Sequence, residues 1–248
     1  IETPEISSIE LIPKANGLFT VTLTPNNASV GDHNATFTVY DSAGATKLKT
    51  FIIHVNNVND APDLDSIPDL TANQDSTIYY QTNVTEIDAP YGDTIDYSTN
   101  SNLCWVDENG YMSCFGGNVD VGTHSITVTA TDDSGASDSE TFTLTINNIN
   151  DAPMLIVNAF NSIAEEDTEY QYTFDAFDAD ENYGEKLTFT DNTTLFDINS
   201  DTGEIRFTPT NAQVGDWNIT VTLTDLQGAT DTENFIFYVN NVNDNPTI

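Results

Sequence analysis

Alternation with a period of two residues runs through much of this chain. Between His124 and Asp132, Ile126, Val128 and Ala130 fall on one face and threonines on the other, and Ile219, Val221 and Leu223 repeat the arrangement further on. A second alternating run places Phe142, Leu144 and Ile146 together, matched by Phe235, Phe237 and Val239 and by Phe51, Ile53 and Val55. This period predicts half-buried strands with one wet face, and the threonines on that face suit β propensity. No stretch shows the i, i+3, i+4 spacing of a helix. Short strands separated by Gly, Asn and Asp turns, roughly seven to each ~90 residues, predict an all-β fold of sandwiches.

The same phrases recur at long intervals, which marks a repeat protein. Val30, Val121 and Val214 are each followed by Gly, and from these landmarks three segments align without a gap to Pro62, Pro153 and Pro246. The landmarks lie 91 residues apart (30 to 121) and then 93 (121 to 214). The second and third copies also match upstream, Asp75 to Val106 against Asp167 to Ile198. Domains are expected at 1–61, 62–152 and 153–248, arranged as an elongated rod. The first is partial: only 29 residues precede Val30, so its opening strands are missing. They lie upstream in a longer protein, or another copy of the chain donates them as in donor-strand filaments.

Each copy ends in nearly the same phrase: VNNVNDAP at Pro62, INNINDAP at Pro153 and VNNVNDNP at Pro246. It follows the last strand, and proline, lacking a donor and fixing φ, stops the ladder there. The phrase is the expected linker. Its Asn and Asp residues offer hard oxygen ligands where a flexible linker would carry Gly and Ser. Acids recur in register nearby: Asp178 and Asp180 align with Glu86 and Asp88, and a strand-ending Asp before a Gly turn appears as Asp41, Asp132 and Asp225. Loops at one end of a sandwich converge, so these groups are expected to meet at the edge facing the preceding linker. Two carboxylates about 4 Å apart repel by roughly 4 kcal/mol at an effective dielectric of 20. A hard divalent cation, Ca²⁺ above all, resolves that repulsion. The competing reading is that Asn and Asp only cap turns through their own backbones.

Composition narrows the partners. Forty Asp and Glu against five Lys and Arg give a formal charge of -35, which disfavours nucleic acid and anionic lipid and attracts cations. A solvated, salt-adapted face accounts for many of these acids taken singly. No apolar run reaches the ~18 residues of a membrane span. Cys104 and Cys114 flank the turn Asp107-Glu108-Asn109-Gly110, and either bridge the two strands of a hairpin or sit as two small buried hydrophobes. A bridge would fit an extracellular location. Sequons at Asn27, Asn34, Asn83, Asn192 and Asn218 permit glycosylation, at a number near chance for so many Asn, Ser and Thr. No catalytic motif is present, and His33 and His124 align with Trp217 at a packing position, so no enzyme is expected. Trp105 and Trp217 are expected to fill cores.

Taken in order, the final strand, the NDxP linker, the DxD element and the TDxxG turn resemble cadherin repeats. The stretch Phe196 to Gly215 is similar to the cadherin-like, Ig-like domains of dystroglycan type in microbial surface proteins. The resemblance covers essentially the whole chain and implies tandem Greek-key β-sandwiches. It also implies a calcium set at the second junction of Asn150, Asp151, Asp178, Asp180 and Asp225, and at the first of Asn59, Asp60, Glu86, Asp88 and Asp132. Asn148 and Asn57 stand where cadherins begin the linker motif, usually with Asp. Three departures reduce what carries over: a linker one residue shorter, Glu86 for the first Asp of DxD, and TPTNAQVG in place of the acidic LDRE-like element. Fewer ions per junction are therefore expected, with lower occupancy at the first. Glu165, Glu166 and Asp167 resemble an acidic stretch serving a further junction near Asn243 and Asp244. The expected function is a calcium-stiffened extracellular stalk of a surface adhesin, S-layer or filament protein, cohering through neighbouring repeats. The alternative is a module recognising a cell-surface glycan or a protein, accessory to a secreted hydrolase.

Overall fold

The computed structural model describes residues 9–13 and 17–243, so Asn16 of the first copy and Asp244 and Pro246 of the last linker lie outside the described residues. The chain divides into two compact units, one of residues 1–70, 77–114 and 124–144 and one of residues 71–76, 115–123 and 145–248. The division runs through the middle repeat. Among the described residues the only helical elements are single 3-10 turns, and the rest is strand and loop.

The third repeat is a complete sandwich. One sheet orders Ile163–Glu165, Thr230–Asn240, Gly215–Thr224 and Thr188–Asp191. Its first pair is parallel, with Ile163 opposite Tyr238, and the others are antiparallel. Tyr170–Thr173 pairs with Glu204–Phe207, and Met154–Ile156 with Asp175–Phe177. The alternating faces predicted from sequence turn inward as expected: Ile219, Val221, Leu223, Phe237 and Val239 are all buried. Phe237 is wholly buried and lies in an aromatic cluster, edge-on to Tyr170 with ring centroids 5.0 Å apart.

The middle repeat has the same strand order in its larger sheet: Leu70–Asn73, Ser137–Asn147, Gly122–Asp132 and Ile95–Thr99. Ile126, Val128, Ala130, Phe142, Leu144 and Ile146 are buried. A smaller sheet orders Cys104–Val106, Tyr111–Gly116 and Ser76–Gln81. Cys104 stands directly opposite Cys114, and the two form a disulfide. Both cysteines are buried, and the bridge rather than the pair of free small hydrophobes is what the structure holds.

Trp105 departs from expectation. It is 61% exposed rather than a core residue. The period of two decides this: its neighbours Cys104 and Val106 take the inward positions of a three-residue strand, which leaves the indole outside. Trp217 does pack against the third core, and its Nε1 donates to the Gln213 carbonyl at 2.9 Å. His33, its counterpart in the first copy, places Nε2 2.6 Å from the Ser29 carbonyl, the same contact four residues back.

Each Val-Gly landmark has a structural cause. A 3-10 turn, Asn27–Ser29, Asn118–Asp120 or Asn211–Gln213, precedes it. The following glycines Gly31, Gly122 and Gly215 have φ of 121, 132 and 133°, a region that side chains resist.

In the first copy the described residues form two hairpins, Ile9–Pro13 with Phe19–Leu23 and Gly31–Tyr40 with Thr46–Val55. The second hairpin corresponds to the two long strands of the other repeats, but among the described residues neither of its edges is paired with a third strand. Its apolar side chains are open: Val39 and Leu48 are each 63% exposed, and Phe51, stacked on Phe37, is 40% exposed. The equivalent Phe142 in the middle repeat is 3% exposed.

Candidate metal centre

At the second junction the linker follows the strand Ser137–Asn147, and two elements of the third repeat meet it. Asp178 follows the strand Asp175–Phe177, Asp180 starts the 3-10 turn Glu181–Tyr183, and Asp225 follows Gly215–Thr224. Asp178 and Asp225 each spend one oxygen on shaping the backbone, whereas Asp180 makes no side-chain bond to its own turn. Asp178 Oδ1 accepts from Asp180 N at 2.8 Å, and Asp225 Oδ1 from Ala229 N at 2.7 Å. The linker then docks on what remains: Asn150 Nδ2 donates to Asp225 Oδ2 at 2.7 Å and Asp151 N to Asp180 Oδ2 at 2.7 Å. In Asp225 turn capping and junction formation are therefore two jobs of one acid, done by different oxygens.

Four oxygens in this set are buried without any hydrogen-bond partner: Asn148 Oδ1, Asn150 Oδ1, Asp178 Oδ2 and Asp180 Oδ1. Asp178 and Asp180 are 4% and 1% exposed. Burial raises the Asp178 pKa above 3.8, and Asp180, Glu185 and Asp225 lie close enough to add repulsion, while the Asp180 N–H opposes the rise. The Asp225 carboxyl is held below the usual range chiefly by the Asn150 amide. A buried carboxylate oxygen with no partner is costly, and a hard cation is the partner that oxygen-only ligands suit. By this criterion the residues fit calcium.

The first junction repeats the docking. Asn59 Nδ2 donates to Asp132 Oδ2 at 2.7 Å, and Asp60 N to Asp88 Oδ2 at 2.6 Å. The Asn59 amide lowers the Asp132 pKa, as Asn150 does for Asp225. Asp88 N donates to Glu86 Oε1 at 2.8 Å, and the unpartnered buried oxygens here are Glu86 Oε2 and Asp88 Oδ1, two against four. Glu86, Asp93 and Asp132 bring one oxygen each within 4.8 Å of one another. Asn57 is exposed and lines a cleft with Asn59, Asp88 and Asp93. Asp41, the first-copy counterpart of Asp132, serves its own turn, accepting from Ala43 N and Ala45 N.

Several residues the sequence reading passed over complete the junctions. Asp93 Oδ1 accepts from Asp133 N, and Glu185 Oε1 from Leu226 N, steadying the TDxxG turns. Asn27 Nδ2 donates to Asp60 Oδ2 at 2.6 Å and Asn118 Nδ2 to Asp151 Oδ2 at 2.8 Å. The Tyr91 hydroxyl donates to the Asn27 carbonyl, and the Tyr183 hydroxyl to that of Asn118. The repeat spacing was a usable signal for all of them, since each recurs one period on. Asn27 is thus engaged at the junction, and a glycan on its Nδ2 would disrupt that bond; Asn34, Asn83, Asn192 and Asn218 are exposed.

The sequence family described as Putative Ig domain matches residues 61–147 and 152–240. The chain belongs to this family. The Ig-domain repeats also share their fold with cadherin ectodomains. PcdhgB3 EC1-4 superposes with a TM-score of 0.62 at 16% identity, over 95% of this chain and 64% of that one. Mouse cadherin-23 EC22-24 gives 0.55 at 17% identity, over 94% and 82%, and the human desmocollin-1 ectodomain 0.53 at 14%, over 96% and 52%. The chain spans 64% of PcdhgB3 EC1-4 and 51% of the five-domain protocadherin gamma B2 structure. No curated protein sequence matches it. Among the described residues no helix is long and apolar enough to cross a membrane.

Proposed function

We propose that this chain is a non-catalytic extracellular segment of an adhesive or structural surface protein, whose tandem Ig-like repeats are stiffened by calcium at their linkers. The observation that carries the reading is the set of four buried, unpartnered oxygens at the second junction. Asn148, Asn150, Asp178 and Asp180 would hold the ion, and calcium would supply the positive charge these side chains lack. Asp225 and Asp151 orient the set through the linker hydrogen bonds. Cohesion by neighbouring repeats is part of this reading, and the cadherin likeness supports it only as an analogy from fold.

Calorimetric titration tests it, with an expected tightest site that is lost in an Asp178→Asn and Asp180→Asn double variant. Unchanged heats in that variant would overturn the assignment. The pH dependence is also fixed in sign. Because Asp178 titrates above 3.8, protons compete with calcium there at a higher pH than at an ordinary aspartate. Affinity is expected to fall on acidification from neutral pH at a higher pH than an unperturbed aspartate ligand would give. In the metal-free protein the raised folded pKa makes Asp178 protonation stabilising: that contribution appears as pH falls through the raised value toward 3.8 and is lost as pH rises. Asp132 and Asp225 have the opposite sign, losing their contribution as pH falls below 3.8.

A second reading, glycan binding, is favoured by one observation. The outer face of the cysteine hairpin and its neighbour carries Trp105, with Tyr79 and Tyr111 stacked at 5.5 Å and 17°. Flat, exposed aromatic rings suit the apolar faces of neutral sugars, and the acidic charge disfavours anionic ones. A neutral-glycan array should then show selective binding that Trp105→Ala abolishes; no binding would end this reading.

A further inference from the structure

Gln74 and Glu166 occupy the same place in successive repeats. Gln74 N donates to the Asn147 carbonyl and Glu166 N to that of Asn240, in each case the last residue of the long strand before the linker. One side-chain oxygen does the same work in both: Gln74 Oε1 accepts from Ile149 N at 3.1 Å and Glu166 Oε1 from Val242 N at 2.7 Å. The other atom differs. Gln74 Nε2 shares its two N–H groups among three oxygens, Asp151 Oδ2 at 3.0 Å, the Ile149 carbonyl at 3.1 Å and Asn118 Oδ1. Glu166 Oε2, on a fully buried residue, has no partner.

An amide nitrogen ringed by a carboxylate oxygen, a carbonyl and an amide oxygen stands where a cation would otherwise be needed. Gln74 is only 5% exposed, so the exchange with water that normally discounts such bonds is lost. We propose that Gln74 is a built-in substitute for a cation: its amide closes the Asp151 side of the second junction without metal, and a carboxylate at this position turns that closure into a divalent-ion site. The linker aspartate then does two separate jobs. Its backbone N–H holds Asp180 beside the oxygens assigned above to calcium, and its side chain is held by Gln74 and Asn118. Part of the joint is thereby independent of calcium supply, which goes beyond the metal reading and does not need it.

The test is Gln74→Glu in the full chain, titrated with calcium chloride beside the parent. One additional ion per chain is expected, with a metal-free melting temperature below the parent's and restored by calcium. An unchanged stoichiometry in a folded Gln74→Glu protein would overturn the proposal. Whereas Gln74→Glu keeps the Oε1 acceptor of Ile149 N, Gln74→Met keeps the length and removes the donors together with that acceptor. It is expected to bind the parent's number of ions and to melt roughly 8 °C or more lower in chelator, from loss of a charge-assisted and at least one neutral hydrogen bond. If Gln74→Met melts with the parent, the amide closes nothing and the proposal fails, whether or not Gln74→Glu folds. Because every readout is a difference from the parent, a parent that binds no calcium would sink the metal reading alone.

Discussion

Asp180→Asn is expected to melt above the parent in chelator and below it in saturating calcium. The crossing follows from how Asp180 divides its oxygens. Oδ2 accepts from Asp151 N, a role the amide oxygen of Asn retains, while Oδ1 is buried and bare. In the metal-free parent that bare carboxylate oxygen costs on the order of 1 to 3 kcal/mol. Replacing it with an NH₂ removes the charge and supplies a donor amid acceptors. With calcium present the balance reverses, because the parent gains about 2.7 kcal/mol at a hundredfold excess over its dissociation constant and the variant gains little. For repeats of about 90 residues that gain corresponds to roughly 11 to 22 °C. Differential scanning of both proteins in chelator and in calcium reads the four values. Equal destabilisation of the variant in both conditions would mean that Asp180 serves only to dock the linker N–H of Asp151 and holds no ion.

The sequence made the junctions visible because their acids recur. Asp178 and Asp180 against Glu86 and Asp88, and Asp225 against Asp132, keep their spacing through a period that otherwise tolerates much change. Their convergence on the linker needed only the rule that loops at one end of a sandwich meet. What stayed hidden were partners 28 to 77 residues apart whose types carry no chemistry of their own. Gln74 reads as a surface glutamine until its backbone is fixed opposite Asn147, and Asn118 as a turn residue until its amide reaches Asp151. Tyr91 and Tyr183 look like loop aromatics, and only the fold brings their hydroxyls to a carbonyl of the preceding copy. Trp105 failed for a different reason: size argued for the core, but parity with Cys104 and Val106 argued against it, and parity prevails in a short strand.

One position in the repeat measures how complete each copy is. Phe237, Leu144 and Ile53 are equivalents on the last long strand. Phe237 is wholly buried among Phe160, Tyr170, Phe196 and Phe207, with centroids 5.0 to 6.1 Å away, so truncation leaves a cavity in an aromatic core. Phe237→Ala is expected to cost about 3 to 5 kcal/mol, and Leu144→Ala, also 0% exposed, about 2 to 5 kcal/mol. Either is a large share of what holds a domain of this size together. Ile53 is only half-buried, on a hairpin with two unpaired edges and an open apolar face. There is less packing to lose, and Ile53→Ala is expected to cost under about 1 kcal/mol. Urea unfolding of the three variants of the full chain gives the comparison. An Ile53→Ala loss as large as the other two would require that face to be covered in solution, and a midpoint independent of protein concentration would then assign the cover to the same chain, a concentration-dependent one to a second copy.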